Sequence, residues 1–331
     1  MNSQMQILNE TLMSSFNMKV TFVEPIGLSS QELDEIKDKY ETSGNEIVIY
    51  KDRKEDEETL IERAKDADIM IVSNIKISRN VLEKCTNLKM ISVAFTGVDH
   101  IDMDYCREHD IVVCNAAGFS NDSVAELTIN MILSVYRNTV KADAITRNGG
   151  DMKGFLGTEL SGKTIGIIGC GKIGTRVAQI CQAFNCKVLA YNRNPKDIHG
   201  VKFTSKEELL KQSDIISLHT PLTDESRNII GKEEFELMKE SAILINTARG
   251  PVVNSQDLFD ALNSGKIAGA ATDVYDCEPP LKEDNILLKA PNLIMLPHIA
   301  YATKEAFKKR ASIVCENIHY WLAECPRNLI E

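Results

Sequence analysis

Short runs of apolar, mostly β-branched residues alternate with charged amphipathic stretches along almost the whole chain. In the first part of the sequence these runs are residues 20–23, 47–50, 69–72, 90–94 and 111–114. Residues 30–40 and 57–66, which lie between runs, have the apolar spacing of helices. Because strands that alternate with helices are typical of βα units, this pattern predicts a mostly parallel sheet.

A second series of the same kind follows a long helical pattern at residues 123–147. Its apolar runs are residues 164–168, 187–190, 215–218, 242–245, 269–274 and 293–296. A chain of 331 residues has room for two domains. The sequence therefore predicts an α/β protein of two Rossmann-like or flavodoxin-like domains with parallel sheets.

The composition and net charge of the chain limit the classes of molecule that the protein is expected to bind. The chain is 43% apolar and 26% charged, as in ordinary globular proteins. Its formal charge of −10 disfavours nucleic acid, which is bound by clustered cations. No apolar run reaches the length of a membrane span, so we expect no membrane partner.

The cysteines and the N-terminal residues indicate the cellular compartment in which the protein is expected to work. Nine cysteines, an odd number without a CxxC pair, are expected to be thiols in a reducing compartment. No His or Cys spacing suggests a metal site. Residues 1–17 lack the features of a secretion signal and form an extension of unassigned role. We therefore expect a cytoplasmic protein without a structural metal.

The strongest local signal is a glycine-rich turn within residues 163–180. Gly169, Gly171 and Gly174 form the pattern GxGxxG, with Lys172 and Ile173 between the last two glycines. An apolar strand precedes the turn and an amphipathic helix follows it, as the dinucleotide-binding fingerprint requires. The helix N-terminus favours anions, so we expect these residues to bind the pyrophosphate of a dinucleotide.

The position where this fingerprint expects an acid for the adenosine ribose reads Asn192 and Arg193. Asn192 can bond a ribose hydroxyl without repelling a 2′-phosphate. Arg193, together with Lys196, can pair with such a phosphate. The sequence therefore leans toward NADP(H), whereas an Arg193 that stacks on the adenine or faces solvent would indicate NAD(H).

Three ionisable residues, Arg249, Glu278 and His298, stand further along in apolar or turn-like surroundings. Arg249 and His298 follow predicted strands, at the edge where open α/β sheets bind ligands. Each residue taken alone also has an explanation without a catalytic role. Arg249 could be a surface ion-pair partner, Glu278 a solvated loop acid and His298 a turn histidine. Together they suit reduction of a 2-oxo acid, which needs a cation for the carboxylate, a proton donor for the carbonyl oxygen and an anion beside that donor.

Several ordered motifs extend this pattern from about Met18 to the C-terminus. They are GxGxxG, LHTPL at residues 218–222, NTARG at 246–250, residues 273–279 and PHIA at 297–300. Arg249 and Glu278 are 29 positions apart, and Glu278 and His298 are 20 positions apart. In these features the chain resembles the D-isomer-specific 2-hydroxyacid dehydrogenases, which include glyoxylate and hydroxypyruvate reductases, D-lactate and phosphoglycerate dehydrogenases, and formate dehydrogenase.

The resemblance implies roles for the site residues. Arg249 anchors the substrate carboxylate, His298 exchanges the proton and Glu278 pairs with His298. Asp273 positions the nicotinamide carboxamide. The other implied cofactor contacts are Thr220 and Pro221 on the adenosine side, and Thr247, Ala248, His298 and Ala300.

The first domain is implied to contribute a substrate-binding loop after the run at residues 90–94. Backbone N–H groups of Thr96 and Gly97 hold the substrate carboxylate in this interpretation. Where many members of the family have a second glycine, this chain has Phe95. Phe95 either closes over the substrate or fills the domain core.

The resemblance also implies a discontinuous first domain. Residues 18–120 and 299–331, with a returning helix at 302–324, form the substrate domain, and residues 121–298 form the dinucleotide-binding domain. Members are commonly homodimers, and residues 123–147 are the candidate interface helix, although their apolar stripe equally suits the core. We expect no regulatory domain after the returning helix.

The predicted function is hydride transfer between a nicotinamide cofactor and a small D-2-hydroxy acid or its 2-oxo partner, such as glyoxylate or hydroxypyruvate. The main alternative is an NAD(H)-sensing regulatory protein of the same fold with little turnover, similar to the C-terminal-binding-protein corepressors. A methyltransferase that uses the glycine turn for S-adenosylmethionine would leave Arg249, Glu278 and His298 unexplained. The residues do not distinguish among small 2-oxo acids.

Overall fold

The computed structural model describes residues 17–42 and 44–330, which divide into two compact units. One unit contains the chain up to Phe119 and again from Thr303, and the other is Ser120–Ala302. The predicted extension at residues 1–17 lies outside the described residues, apart from Asn17.

The first unit is a parallel sheet with helices between its strands. The strands are β1 (Lys19–Phe22), β2 (Glu46–Ile49), β3 (Ile69–Val72), β4 (Met90–Val93) and β5 (Val112–Cys114). The helices between them are α1 (Ser30–Thr42), α2 (Glu57–Ala64), α3 (Arg79–Lys84) and α4 (Met103–Glu108). The strand order β2-β1-β3-β4-β5 is that of flavodoxin-like sheets.

The second unit contains a larger parallel sheet. Its strands are β6 (Thr164–Ile168), β7 (Lys187–Tyr191), β8 (Val201–Phe203), β9 (Ile215–Leu218), β10 (Ile243–Asn246), β11 (Gly269–Thr272) and β12 (Leu293–Met295). Its helices are α5 (Asn121–Arg137), α6 (Thr139–Arg147), α7 (Lys172–Ala183), α8 (Lys206–Gln212), α9 (Lys232–Leu237) and α10 (Ser255–Asn263). The order β12-β11-β10-β9-β6-β7-β8 reverses direction between β6 and β9, as in Rossmann folds. The predicted fold class is confirmed.

Burial on both faces explains why the central strands are nearly all apolar. Every residue of β3, β4, β9 and β10 is buried. In β10, Ile243 and Ile245 join one apolar cluster of the second unit, whereas Leu244 joins the other. Parallel strands covered on both faces leave little room for charged groups along their length, so such groups collect beyond the strand ends. Within the described ranges, no helix is both long and apolar enough to span a bilayer.

The predicted helix at residues 123–147 is wrong in one respect, because the structure breaks it into α5 and α6 at Asn138. Asn138 has φ +52°, a left-handed conformation that Asn tolerates better than most residues. The apolar stripe of α5 is core, with Val124, Met131 and Ile132 buried. Helix α6, in contrast, buries none of its residues. The spacing of apolar residues in the sequence does not reveal this break, because the break involves the single residue Asn138.

Strand β8 was not predicted either. It has three residues, Val201 to Phe203, of which Lys202 is exposed and none is fully buried. It pairs only with β7, at the edge of the sheet. A short edge strand buries too little apolar surface to leave a clear pattern in the sequence.

The C-terminal helix, α11 (Lys304–Leu322), belongs to the first unit and is held there by buried polar groups. The Ser92 hydroxyl in β4 donates to the carbonyl of Val314 at 3.2 Å. The fully buried Asn317 donates to the Asn115 carbonyl at 2.8 Å and accepts from Asn328 at 2.9 Å. These bonds tie α11 to segments distant in sequence.

We expect Asn317→Ala to lower the free energy of unfolding by about 1–3 kcal/mol, because it leaves the buried Asn115 carbonyl without its donor. Urea denaturation monitored by circular dichroism measures this change. Asn148→Ala removes an exposed amide that bonds only within its own helix end, and it should change stability by about 0.5 kcal/mol or less. Equal effects of the two substitutions would contradict the role given to Asn317.

Candidate active site

The glycine turn joins β6 to α7 in a geometry that side chains would obstruct. Gly169 has φ +92°, and a Cβ there would lie 2.7 Å from the backbone of His219. A Cβ at Gly174 would lie 2.5 Å from the Gly169 carbonyl oxygen. A Cβ at Gly171 would meet nothing within 4 Å, so the space beside the start of α7 is open. The turn therefore brings the N-terminus of α7 within reach of an anion.

A cavity of about 560 Å³ lies beside this turn, where the sheet order reverses. Predicted cofactor residues line it: Gly169, Gly171, Asn192, Arg193, Thr220 and Pro221. The buried Thr220 Oγ1 makes no hydrogen bond to any described residue. The open glycine cradle, the helix N-terminus and this unsatisfied hydroxyl fit a dinucleotide. The described residues contain no cluster of three or more His, Cys, Asp or Glu that would hold a metal ion.

Asn192, which the sequence analysis gave to a ribose hydroxyl, holds the glycine turn itself. Its side-chain oxygen accepts from the Cys170 N–H at 2.6 Å, and its amide donates to the Cys170 carbonyl at 3.3 Å. The backbone of Cys170, between the first two glycines, is thereby fixed from the end of β7. Asn192 is thus a support for the cradle as well as part of the cavity lining.

Arg193 forms an ion pair with Glu225, and both residues line the cavity. The Arg193 Nη1 atom lies 2.5 Å from Glu225 Oε2, and the side chains are 71% and 69% exposed. Lys196, grouped with Arg193 in the sequence analysis, is exposed and is not part of the cavity lining. The cation at the end of β7 therefore faces a carboxylate from the segment after β9.

His219 contributes a neutral group to the cavity wall. Its Nε2 atom lies 2.8 Å from the Ser217 hydroxyl. Burial lowers the pKa of His219 to about 4, so the imidazole carries no charge at neutral pH.

Glu278 and His298 form the acid–imidazole pair that the sequence predicted. His298 Nδ1 lies 2.9 Å from Glu278 Oε2, with side-chain exposures of 24% and 47%. A carboxylate at Nδ1 fixes the orientation of the ring and favours the tautomer in which Nδ1 carries hydrogen. The other ring nitrogen, Nε2, is then the one suited to exchange a proton with a substrate.

Asp273 anchors the turn that carries His298. Its two carboxylate oxygens accept from the N–H groups of Ile299 at 2.9 Å and Ala300 at 2.7 Å. His298 itself has φ +56°, a strained conformation for a residue with a side chain. Burial raises the pKa of Asp273, against the opposing effect of the two donors. The resemblance implied that Asp273 and Ala300 contact the cofactor. In the structure the Ala300 N–H is already bonded to the Asp273 carboxylate.

The turn that carries Arg249 is shaped by Asn246 at the end of β10. The Asn246 side chain accepts from the Ala248 N–H at 3.0 Å and donates to the Arg249 carbonyl at 2.9 Å. Arg249 Nη1 donates to the Ala248 carbonyl at 2.8 Å. Thr247, implied as a cofactor contact, has its hydroxyl 3.0 Å from that of Thr128 in α5. These bonds fix the backbone from which Arg249 projects.

Two close contacts connect the turns of Arg249, Glu278 and His298. A Cβ at Gly250 would lie 1.9 Å from the carbonyl carbon of Tyr275, so the Arg249 turn packs directly on the segment that leads to Glu278. The Tyr275 hydroxyl donates to the Leu296 carbonyl at 2.8 Å, just before His298. Displacing one turn would therefore disturb the other two.

The substrate loop of the first unit follows β4. Thr96 is exposed, and its carbonyl accepts from the Asn115 side chain at 2.7 Å. Phe95 is half-buried against the apolar core, with its ring centroid 6.2 Å from that of Phe119. Gly97 is half-buried beside them.

Comparison with known proteins identifies the family. The sequence model described as "D-isomer specific 2-hydroxyacid dehydrogenase, NAD binding domain" matches residues 129–300. A glyoxylate reductase of Thermococcus litoralis is 39% identical over an alignment of 300 positions that covers 86% of this chain and 90% of that protein. The chain belongs to the D-isomer-specific 2-hydroxyacid dehydrogenase family. The resemblance stated from the motifs is confirmed.

Other members of this dehydrogenase family match over different lengths. The D-3-phosphoglycerate dehydrogenase of Methanocaldococcus jannaschii is 44% identical over an alignment of 268 positions that covers 79% of this chain and 51% of that protein. The chain thus spans about half the length of the phosphoglycerate dehydrogenases it matches. An acyclic imino acid reductase, solved in complex with NADPH and D-Arg, has a TM-score of 0.87 and 33% identity. That match covers 95% of this chain and 100% of that chain.

Sequence reasoning missed Glu225 and Tyr275 and gave His219 no role. Glu225 lies 32 positions after Arg193, outside every motif used, so no local spacing connects the two. Tyr275 stood inside a recognised motif, but a buried hydroxyl bond gives no sequence signal. His219 also stood inside a motif, and only burial shows that it is neutral.

We expect acid to destabilise the protein partly through His219. Its folded pKa of about 4 lies below the usual 6.5, so the unfolded chain takes up the proton first as the pH falls. Stability is therefore lost progressively between about pH 6.5 and pH 4, by about 3 kcal/mol or less for this residue.

Urea titrations of the wild type and His219→Gln at pH 7.5, 6 and 5 measure this effect. The variant should lose less stability on acidification than the wild type. Identical pH slopes would show that His219 is not the titrating group.

Proposed function

We propose that this protein is an NAD(P)(H)-dependent dehydrogenase that interconverts a small 2-oxo acid and its D-2-hydroxy acid. The observation that carries the proposal is the Glu278–His298 pair. Its turns pack against the turn of Arg249, in the same unit as the cavity beside the glycine turn. Relatives named glyoxylate reductase and D-3-phosphoglycerate dehydrogenase share this family. Glyoxylate and hydroxypyruvate are the substrates we favour.

The chemistry assigned to the chain is binding and proton transfer. The nicotinamide, when bound, supplies or receives the hydride. Arg249 binds the substrate carboxylate through its planar fork. We also assign the N–H groups of Thr96 and Gly97, in the first unit, to substrate binding. His298 donates a proton to the carbonyl oxygen as it becomes a hydroxyl, and it accepts that proton in the reverse direction. Glu278 stabilises the imidazolium, while Asp273 holds the His298 turn in place.

The dinucleotide is held by the glycine cradle in this proposal. Gly169, Gly171 and Gly174 with the N–H groups of Lys172 and Ile173 receive the pyrophosphate. Thr220 and Pro221 face the adenosine. The missing acid at the end of β7, together with Arg193, favours NADP(H) over NAD(H).

The two compact units support the assignment of domains. We assign the substrate to residues 18–120 and 299–331 and the dinucleotide to residues 121–298. The observed units divide at Phe119/Ser120 and at Ala302/Thr303, so the second boundary lies slightly later in the chain than the predicted one.

A second copy of this chain is proposed to cover the exposed apolar surface around α6. Val140 is 59% exposed, Met152 83% and Leu156 93%. Leu156 also borders a groove of about 580 Å³ between the end of α5 and the edge strand β12. Apolar groups this exposed beside a groove are typical of association surfaces, and a homodimer would bury the same patch twice. The candidate interface thus narrows from residues 123–147, which include most of α5 and all of α6, to α6 and the segment after it.

All nine cysteines are free thiols in the structure, which suits a reducing compartment. Burial raises the pKa of Cys85 and Cys106 to about 11, so these thiols resist ionisation and oxidation. We therefore propose the cytoplasm as its location.

We expect His298→Ala to lower the rate of 2-oxo acid reduction by about a hundredfold or more, because it removes the proton donor. Arg249→Lys should raise KM and lower kcat, since Lys lacks the bidentate fork. A spectrophotometric panel of glyoxylate, hydroxypyruvate and pyruvate with NADH and NADPH measures both effects.

The matched controls are His199→Ala and Arg227→Lys, which change exposed residues of the same unit. Both should keep wild-type kinetics. Turnover of no 2-oxo acid by the wild-type protein would contradict the proposed function and favour the cofactor-sensing alternative. Wild-type rates in His298→Ala would contradict the assigned proton donor.

For the dimer, Leu156→Asp places a charge in the proposed interface and should convert the protein to a monomer. Sedimentation velocity should give the wild type about twice the monomer mass. Leu288→Asp changes another exposed leucine, outside the groove lining, and should leave the dimer intact. A monomeric wild type would contradict the proposed interface.

A further inference from the structure

The end of β7 lacks the acid expected beside the adenosine ribose, yet the structure places a carboxylate there from another segment. Glu225 comes from the segment after β9, and its Oε2 atom lies 2.5 Å from Arg193 Nη1. Both side chains line the same cavity of about 560 Å³. The only cation among the residues lining this cavity is therefore paired with an anion that also lines it.

The segment that carries Glu225 is held in shape by its neighbour Ser226. The buried Ser226 hydroxyl accepts from the Thr223 N–H at 2.7 Å and donates to the Pro221 carbonyl at 2.7 Å. This compact turn fixes the backbone at Glu225 relative to Thr220 and Pro221. The position of the carboxylate beside Arg193 therefore follows from a defined turn and not only from a flexible surface side chain.

We propose that Glu225 weakens the binding of NADPH relative to NADH by competing with the 2′-phosphate of NADPH for Arg193. The inference rests on the proposed assignment of this cavity to the adenosine half of the cofactor. A 2′-phosphate carries a charge of about −1.5 to −2 and would have to displace the Glu225 carboxylate to pair with Arg193. NADH has no such group, so its binding leaves the ion pair in place.

The exposure of the pair sets the size of the effect. With 71% and 69% of the two side chains exposed, the ion pair is weak and can open when a more highly charged group arrives. Glu225 therefore lowers the preference for NADPH without excluding it. The expected discrimination is about fivefold, the upper range for an exposed pair.

The test is Glu225→Gln, which keeps the size of the side chain and removes its charge. Isothermal titration calorimetry with 2′,5′-ADP and with 5′-AMP measures binding of the adenosine half with and without the 2′-phosphate. We expect the variant to bind 2′,5′-ADP about fivefold more tightly, with 5′-AMP binding changed less than about twofold. Fluorescence titrations with NADPH and NADH should show the same change in ratio.

Asp224→Asn is the matched control, because it removes the same charge from an exposed neighbour that does not line the cavity. It should leave the ratio of the two affinities unchanged. An equal gain in Asp224→Asn, or no gain in Glu225→Gln, would overturn the proposal.

Arg193→Met tests whether the effect passes through the arginine. In that background, Glu225→Gln should no longer tighten 2′,5′-ADP binding, and an undiminished gain would rule out competition for Arg193.

Failure of this inference is distinguishable from failure of the proposed function. A protein that reduces 2-oxo acids but shows no Glu225 effect refutes only the inference, whereas the binding effect without any turnover refutes only the function.

Discussion

The structure of the second unit depends on burying a seven-stranded parallel sheet on both faces. Its central strands contribute side chains alternately to two apolar clusters, one on each face. Charged groups have almost no place along such strands, so they lie where the strands end. Because all strands are parallel, these ends share one edge, and Asn192, His219 and Arg249 all follow strand ends on it. The chemistry of the site is thus positioned by the packing of apolar residues.

Hydrogen bonds between side chains and backbone groups, together with close packing, hold the turns of Arg249, Glu278 and His298 in place. Asp273 binds two N–H groups just beyond His298, and Asn246 closes the turn before Arg249. The absence of a side chain at Gly250 lets this turn press on the backbone at Tyr275. Such contacts are rigid because a backbone group has fewer ways to move than a long side chain. A conformation as unfavourable as that of His298 persists only with this kind of support.

Electrostatics on the cofactor side is moderated in two ways. Burial keeps His219 neutral, and Glu225 pairs with Arg193. The cavity therefore presents one compensated cation and a helix N-terminus to an incoming dinucleotide. The net charge of the whole chain, −10, says little about this local arrangement, because exposed charges farther away than about 10 Å are screened.

Much of the fold and the main residues of the site were predictable from the sequence. Runs of β-branched residues marked most strands, because full burial requires apolar side chains. The glycine pattern marked the turn after β6, because Gly169 and Gly174 leave no room for a side chain. The spacing of Arg249, Glu278 and His298 within motifs indicated the family. The break at Asn138 and the short strand β8 were missed, since neither changes the apolar pattern enough to be visible. The sequence by itself determined which chemical groups the protein carries and, apart from β8, which segments become strands. Only the tertiary structure decided that Glu225 faces Arg193, that Asn192 supports the glycine turn and that Tyr275 links the turns of Arg249 and His298. These contacts join residues that no local periodicity relates.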